Sequence, residues 1–159
     1  LLSCLALSAA AQKRSSVPVV LSGAELKDIL PETYFFRGLS ASVQTRNSAA
    51  IRFPDGTFVL AALVDTSGYS TAIAQRYAGL LITEKKLTFG EQTLAPGAYG
   101  MGFTPEGKFH VMDVAAATLL TADSPKDDKM PRPVPLQIRA ENGTMRLYLG
   151  RRYVTFTAQ

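Results

Sequence analysis

The sequence predicts an all-β protein, a mostly antiparallel β-sandwich or flattened barrel carrying two short helices. Three observations predict it. Short β-prone segments recur about every 8–12 residues with turn chemistry between them. Thr57–Val64 is an unbroken apolar run bounded by turn signals, the pattern of a strand buried on both faces. Asn142-Gly143, flanked by alternating residues, is the strongest hairpin signal in the chain.

Before these strands, residues 1–11 (LLSCLALSAAA) hold no charge and turn from Leu-rich to small. They read as the end of a secretory signal h-region with an A-x-A site at Ala9–Ala11 and cleavage before Gln12. A competing reading takes Leu1-Leu2-Ser3-Cys4 as a lipobox with a lipid on Cys4. Either reading expects export to the periplasm, the cell surface or the medium. Residues 12–32 are expected to form an N-terminal extension with a short helix, and residues 33–159 a single β domain.

In the extension, Val17-Pro18-Val19-Val20-Leu21 is extended and apolar. Ser22 and Glu25 fit a capping box ahead of Leu26, Ile29 and Leu30, and Pro31 stops the helix after about two turns. Thr33–Arg37 is aromatic-rich and strand-like. Ser42–Arg46 alternates weakly. Ile51–Phe53 and Thr57–Val64 form a hairpin around Pro54-Asp55-Gly56, in which Pro presets φ and Gly takes the left-handed position. Ser70 or Thr71 caps a second short helix through Tyr77, and a strand starts at Leu80. Leu87–Phe89 alternates, Gly90–Gln92 turns the chain, and Pro96-Gly97 turns it again. Tyr99, Met101 and Phe103 then alternate with Gly100 and Gly102, glycines that suit close approach of another backbone. Pro105–Lys108 is a further turn before Phe109–Val111. Thr121–Pro133 is polar with Pro125, Pro131 and Pro133, and reads as an exposed loop. Leu136–Arg139, Met145–Leu149 and Tyr153–Phe156 are the last strands.

Lys86–Tyr99, with the shape L-x-x-G-x-x-L-x-P/A-G-x-Y, resembles a segment of small exported bacterial β-proteins of unknown function. The resemblance runs over residues 86–111. It implies a secreted β-sandwich and no defined activity, and it transfers no functional residue. Phe109 stands where that family usually has Trp.

Composition removes several chemistries. One Cys excludes a disulfide framework within the chain. One His with one Cys excludes a zinc site of His and Cys alone. No uncharged apolar run reaches the roughly 18 residues of a membrane span. His110 sits mid-strand, and Asp113, three residues on, falls on the opposite strand face, so a Ser/His/Asp triad is not assembled locally. His110 therefore reads as a hydrogen-bonded structural residue. Asp123, Asp127 and Asp128 match no calcium loop, and Lys126 and Lys129 interrupt them. Asp65, ending the most apolar strand before Ser67-Gly68, is the acid that a carboxylate-dependent hydrolase would use with a second one.

Charge is more informative. Residues 129–159 hold six basic side chains against Glu141 alone, whereas residues 1–128 hold eleven basic and twelve acidic groups. The formal net charge of +4 therefore resides in the C-terminal hairpins. Arg139, Arg146, Tyr148, Arg151 and Arg152 are read as a basic-aromatic face for a polyanion.

The leading expectation is an exported, non-enzymatic cell-envelope module that binds a polyanion or polysaccharide, with no cofactor, no metal and no sequence-specific nucleic acid. The first alternative is a subunit of a surface assembly or filament, with Val17, Val19, Val20 and Leu21 adding to a neighbour's sheet. The second is the hydrolase built on Asp65.

Overall fold

The computed structural model describes residues 15–159, and the expected signal segment, its cleavage site and Cys4 lie outside them. The chain is a mostly antiparallel, two-sheet β structure. The first sheet holds β1 (Val19–Ser22), β2 (Thr33–Phe36), β3 (Leu39–Arg52), β4 (Phe58–Val64), β5 (Gly79–Thr83), β8 (Gly97–Phe103), β9 (Lys108–Met112) and β10 (Thr118–Asp123). Its order is β1-β3-β4-β5-β8-β9-β10, with β2 also on β3. The second sheet holds β6 (Leu87–Phe89), β7 (Gln92–Leu94), β11 (Leu136–Glu141), β12 (Thr144–Leu149) and β13 (Arg152–Ala158), in the order β11-β12-β13-β6-β7.

The turn chemistry accounts for the hairpins. At Pro54-Asp55-Gly56 the chain closes with Arg52 opposite Phe58 and Ile51 opposite Val59. Asp55 accepts from the Thr57 N–H and hydroxyl at 3.0 and 2.6 Å. Pro105–Lys108 does the same between β8 and β9, with Phe103 opposite Phe109.

The apolar run of β4 is buried on both faces. Val59 and Ala61 join Ile51, Leu81, Met101, Phe109 and Val111 in the core between the sheets, with Leu147, Val154 and Phe156 facing them. Leu60, Ala62 and Val64 point the other way, into a second core with Leu26, Leu30, Phe36, Tyr77 and Leu80. A strand with no solvent face has no polar alternation to show, which is why the run reads as continuous.

The N-terminal segment is built into this fold. β1 pairs with Ala49–Arg52 of β3, and Leu26 and Leu30 are buried in the second core. Neither expected helix develops. Gly23–Leu26 is a single 3-10 turn, held by the Ser22 N–H donating to the Glu25 carboxylate at 3.0 Å. Thr71–Ala74 is one helical turn, and Tyr77 beyond it is non-helical and buried. Both segments are too short to repay helix nucleation and take their shape from packing. The two weak strands expected at Ser42–Arg46 and Ile51–Phe53 are one fourteen-residue strand, β3, with an irregularity between Gln44 and Ser48. Thr121–Pro133 is not a wholly exposed loop. Thr121–Asp123 ends β10, and Ser124 and Met130 are buried. Polar side chains do not prevent backbone pairing at a sheet edge, so composition alone misplaced this segment.

The glycines of β8 are there for close approach. A Cβ on Gly102 would strike the Arg76 carbonyl, and one on Gly100 the Phe36 ring. That ring stacks on Tyr77 with centroids 3.8 Å apart, and Tyr69 stands edge-on to both. The Tyr69 hydroxyl donates to the carbonyls of Phe36 and Leu39 at 2.9 and 3.2 Å. The Tyr34 hydroxyl is buried without a hydrogen-bond partner among the described residues. Burial, reinforced by the nearby Tyr69 phenol, pushes its pKa up to about 12.

Gly102→Ala should lower stability by about 1–3 kcal/mol, because the clash is with backbone that cannot rotate away; urea unfolding measures it. Tyr34→Phe should leave stability unchanged or raise it, because it removes a desolvated hydroxyl. The phenol also makes stability pH-dependent. Above its ordinary value of 10 the unfolded chain releases a proton that the folded chain keeps until about pH 12. Stability should therefore fall as pH rises through this window, and fall less in Tyr34→Phe, which alkaline denaturation monitored by tyrosinate absorbance will show.

Candidate ligand-binding site

The site grows from the β11–β12 hairpin. Asn142 and Gly143 both adopt the left-handed region, with φ of 50° and 78°. That geometry matches the twist of paired strands and fixes a two-residue loop. It sets Arg139 opposite Arg146 and Gln137 opposite Tyr148. The next hairpin sets Tyr148 opposite Tyr153 and Arg146 opposite Thr155. Ile138, Met145, Leu147, Val154 and Phe156 fill the core, so by strand alternation Arg139, Arg146, Tyr148 and Tyr153 share the outer face.

On that face each guanidinium covers a ring. The Arg139 guanidinium carbon lies 5.3 Å from the Tyr148 centroid and that of Arg146 4.6 Å from Tyr153. Arg139 Nε donates to Gln137 Oε1 at 3.2 Å, and Arg146 Nη1 reaches the Tyr148 hydroxyl at 3.5 Å. That hydroxyl, with smaller contributions from Tyr153 and Asp127, holds the Arg146 pKa above its usual value. Neither arginine is in an ion pair among the described residues. Tyr148 is only 1% exposed. Above it, the 124–135 segment folds back over the sheet, with buried Met130 accepting the Gln137 amide on its sulfur. The result is a cleft of about 360 Å³. Arg139, Arg146 and Tyr148 line it from the sheet, Asp127 from the folded-back segment, and Glu141, Asn142 and Thr144 from the hairpin end.

Arg151 and Arg152 do not join this cleft. Arg151 Nε donates to the Met130 carbonyl at 3.2 Å. Arg152 donates to the carbonyls of Ser124 and Pro105 at 2.9 and 3.0 Å. Both are struts holding loop backbone, so the five-residue face expected from sequence narrows to Arg139, Arg146 and Tyr148. Tyr153, Asp127 and Glu141 were not anticipated. A two-residue turn at Gly150-Arg151 places Tyr153 across from Tyr148, and that signal was available; the return of Asp127 depends on tertiary folding.

The other singled-out residues have local roles. Asp65 accepts the Ser67 N–H at 3.0 Å, and this bond holds its carboxyl below the usual carboxylate range. It is the one acid lining a shallow cleft with Ser40, Ser42, Ser67 and Tyr69. His110 Nδ1 lies 3.1 Å from Thr121 Oγ1, and burial, together with the Arg76 charge, lowers its pKa. Asp113 accepts the Ala115 and Ala117 N–H groups, both at 2.9 Å. Val19, Val20 and Leu21 belong to β1, while Val17 precedes it and is 61% exposed. A larger open cleft, about 510 Å³, lies among β7, β10 and β13; in it Lys108 pairs with Asp123, and Gln92 donates to the Thr121 carbonyl. No group of three His, Cys, Asp or Glu able to hold a metal, and no helix long and apolar enough to cross a membrane, occurs among the described residues. The chain matches no protein-family model, no curated protein and no solved structure.

The division of labour among the arginines is testable. Arg152→Ala should cost about 1.5–3 kcal/mol, since two carbonyls lose a charged donor, and Arg139→Ala should be within about 0.5 kcal/mol of the parent. Chemical denaturation of both variants checks the contrast.

Proposed function

We propose that this chain is an exported binding module of the cell envelope, and that its ligand is an anionic envelope polysaccharide held on the outer face of the second sheet. The observation that carries this reading is the cross-strand pair Arg139–Arg146, two cations set opposite each other without an ionic partner among the described residues. Like charges directly opposite on a sheet are destabilising, a cost that an anionic ligand would reverse. The uncharged apolar run at residues 1–11 supports export. Binding is favoured over turnover because the two residues the sequence offered for catalysis have local roles: Asp65 caps its own loop and His110 is engaged with Thr121.

Retention on an immobilised anionic polysaccharide should weaken as salt rises, because exposed charges are screened. Arg139→Ala with Arg146→Ala should elute early, and Arg46→Ala, which removes an exposed cation outside the cleft, with the parent. A double variant eluting with the parent sinks this assignment.

A second reading has its own observation. β1 ends the eight-stranded sheet, with Val17 and Val20 exposed at 61% and 41%. A terminal strand flanked by exposed apolar side chains suits strand addition by another copy in a surface assembly. Sedimentation showing growth with concentration, lost on Val20→Lys, would favour it; a monomer at all concentrations would remove it.

A further inference from the structure

We infer that the Arg139–Arg146 cleft selects a sugar bearing one planar carboxylate among hydroxyls, a uronic-acid residue, and discriminates against densely charged polyanions. This rests on the reading above and names its ligand class.

The argument begins with the charges that share the cleft. Arg139 and Arg146 supply two cations, and Asp127 and Glu141 line the same space with two anions. The site is locally neutral although the C-terminal region as a whole is basic. A sulfated or phosphorylated chain entering it would place one anionic group on the arginines and the next against a carboxylate. At about 4 Å such a repulsion weakens binding by roughly fivefold in water, and by more at the lower effective dielectric of a protein surface. A hydroxyl meeting the same carboxylate donates a hydrogen bond instead.

The donors are arranged to match. Each guanidinium presents five N–H groups in a fixed fork. One on each is engaged, with Gln137 and with Tyr148. The stacked tyrosines hold the guanidinium carbons in place without consuming in-plane donors. A planar carboxylate takes such a fork in two parallel bonds, whereas a compact ammonium offers only a point charge. Asn142 and Thr144 add an amide and a hydroxyl at the rim. The volume, about 360 Å³, sits at the small end of ligand sites, room for a short sugar segment and not for a long stretch of polymer.

Titration calorimetry with a trisaccharide holding one glucuronate between two neutral sugars, its methyl ester and a sulfated heparin hexasaccharide tests this. The acid should bind, and esterification, which removes the charge and keeps the shape, should weaken it at least about tenfold. Arg139→Lys with Arg146→Lys should not restore binding of the acid, because charge returns and the fork does not. Asp127→Asn should strengthen the sulfated ligand and weaken the acid. Thermal unfolding of each variant verifies that it is folded. If the sulfated hexasaccharide binds more tightly than the acid, through the same arginines and with full rescue by lysine, the envelope-polyanion reading survives and this inference fails. If neither ligand binds, both fail.

Discussion

Everything in this molecule depends on one sheet being covered on both faces. β4 has no solvent-facing side: Val59 and Ala61 serve one core, and Leu60, Ala62 and Val64 the other. A sheet in that position must be flanked by two layers. The second sheet provides one. The other comes from short pieces: the 3-10 turn with Leu26, the β2 hairpin with Phe36, and the stretch ending at Tyr77. None of these pieces could fold alone, and each has its conformation imposed by the surface it covers. Where the covering layer comes closest, β8 gives up its side chains, as Gly100 under Phe36 and Gly102 under the Arg76 carbonyl.

The second sheet inherits its role from the first. Its inner face is committed to the shared core, and its outer face carries the chemistry. The rigidity of that face comes from two tight turns that fix strand register, which then fixes which side chains stand opposite. Arg139 over Tyr148 and Arg146 over Tyr153 are a consequence of register and not of any local motif. The arginines outside the cleft have the opposite task. Arg152 ties the β8–β9 turn and the start of the 124–135 segment to β13, which keeps Asp127 beside the cleft.

Period-two alternation and turn chemistry made most strands legible, and the same parity placed Arg146 and Tyr148 on one face. What escaped was whatever depends on contacts between distant segments. Helical spacing at Leu26, Ile29 and Leu30 is real, but those residues are anchored by the sheet beneath them and do not require a helix. β10 pairs with β9 from Thr118 to Asp123, but its polar C-terminal end hides it in the sequence. Arg151 and Arg152 looked equivalent to Arg139 in composition; only the carbonyls within their reach distinguish them.

The pairing of β6 has a consequence for how the chain can be made. Leu87 and Thr88 find their partners at Ala158 and Thr157, the full length of the second sheet's other strands later. Such contacts are slow to form, since a long loop must close before any reward arrives. Until residue 158 has emerged, β6 and β7 remain a detached hairpin and Leu87 and Phe89 have no sheet to join. The second sheet therefore closes only after β11, β12 and β13 have been laid down, and the hairpin of β6 and β7 waits for them.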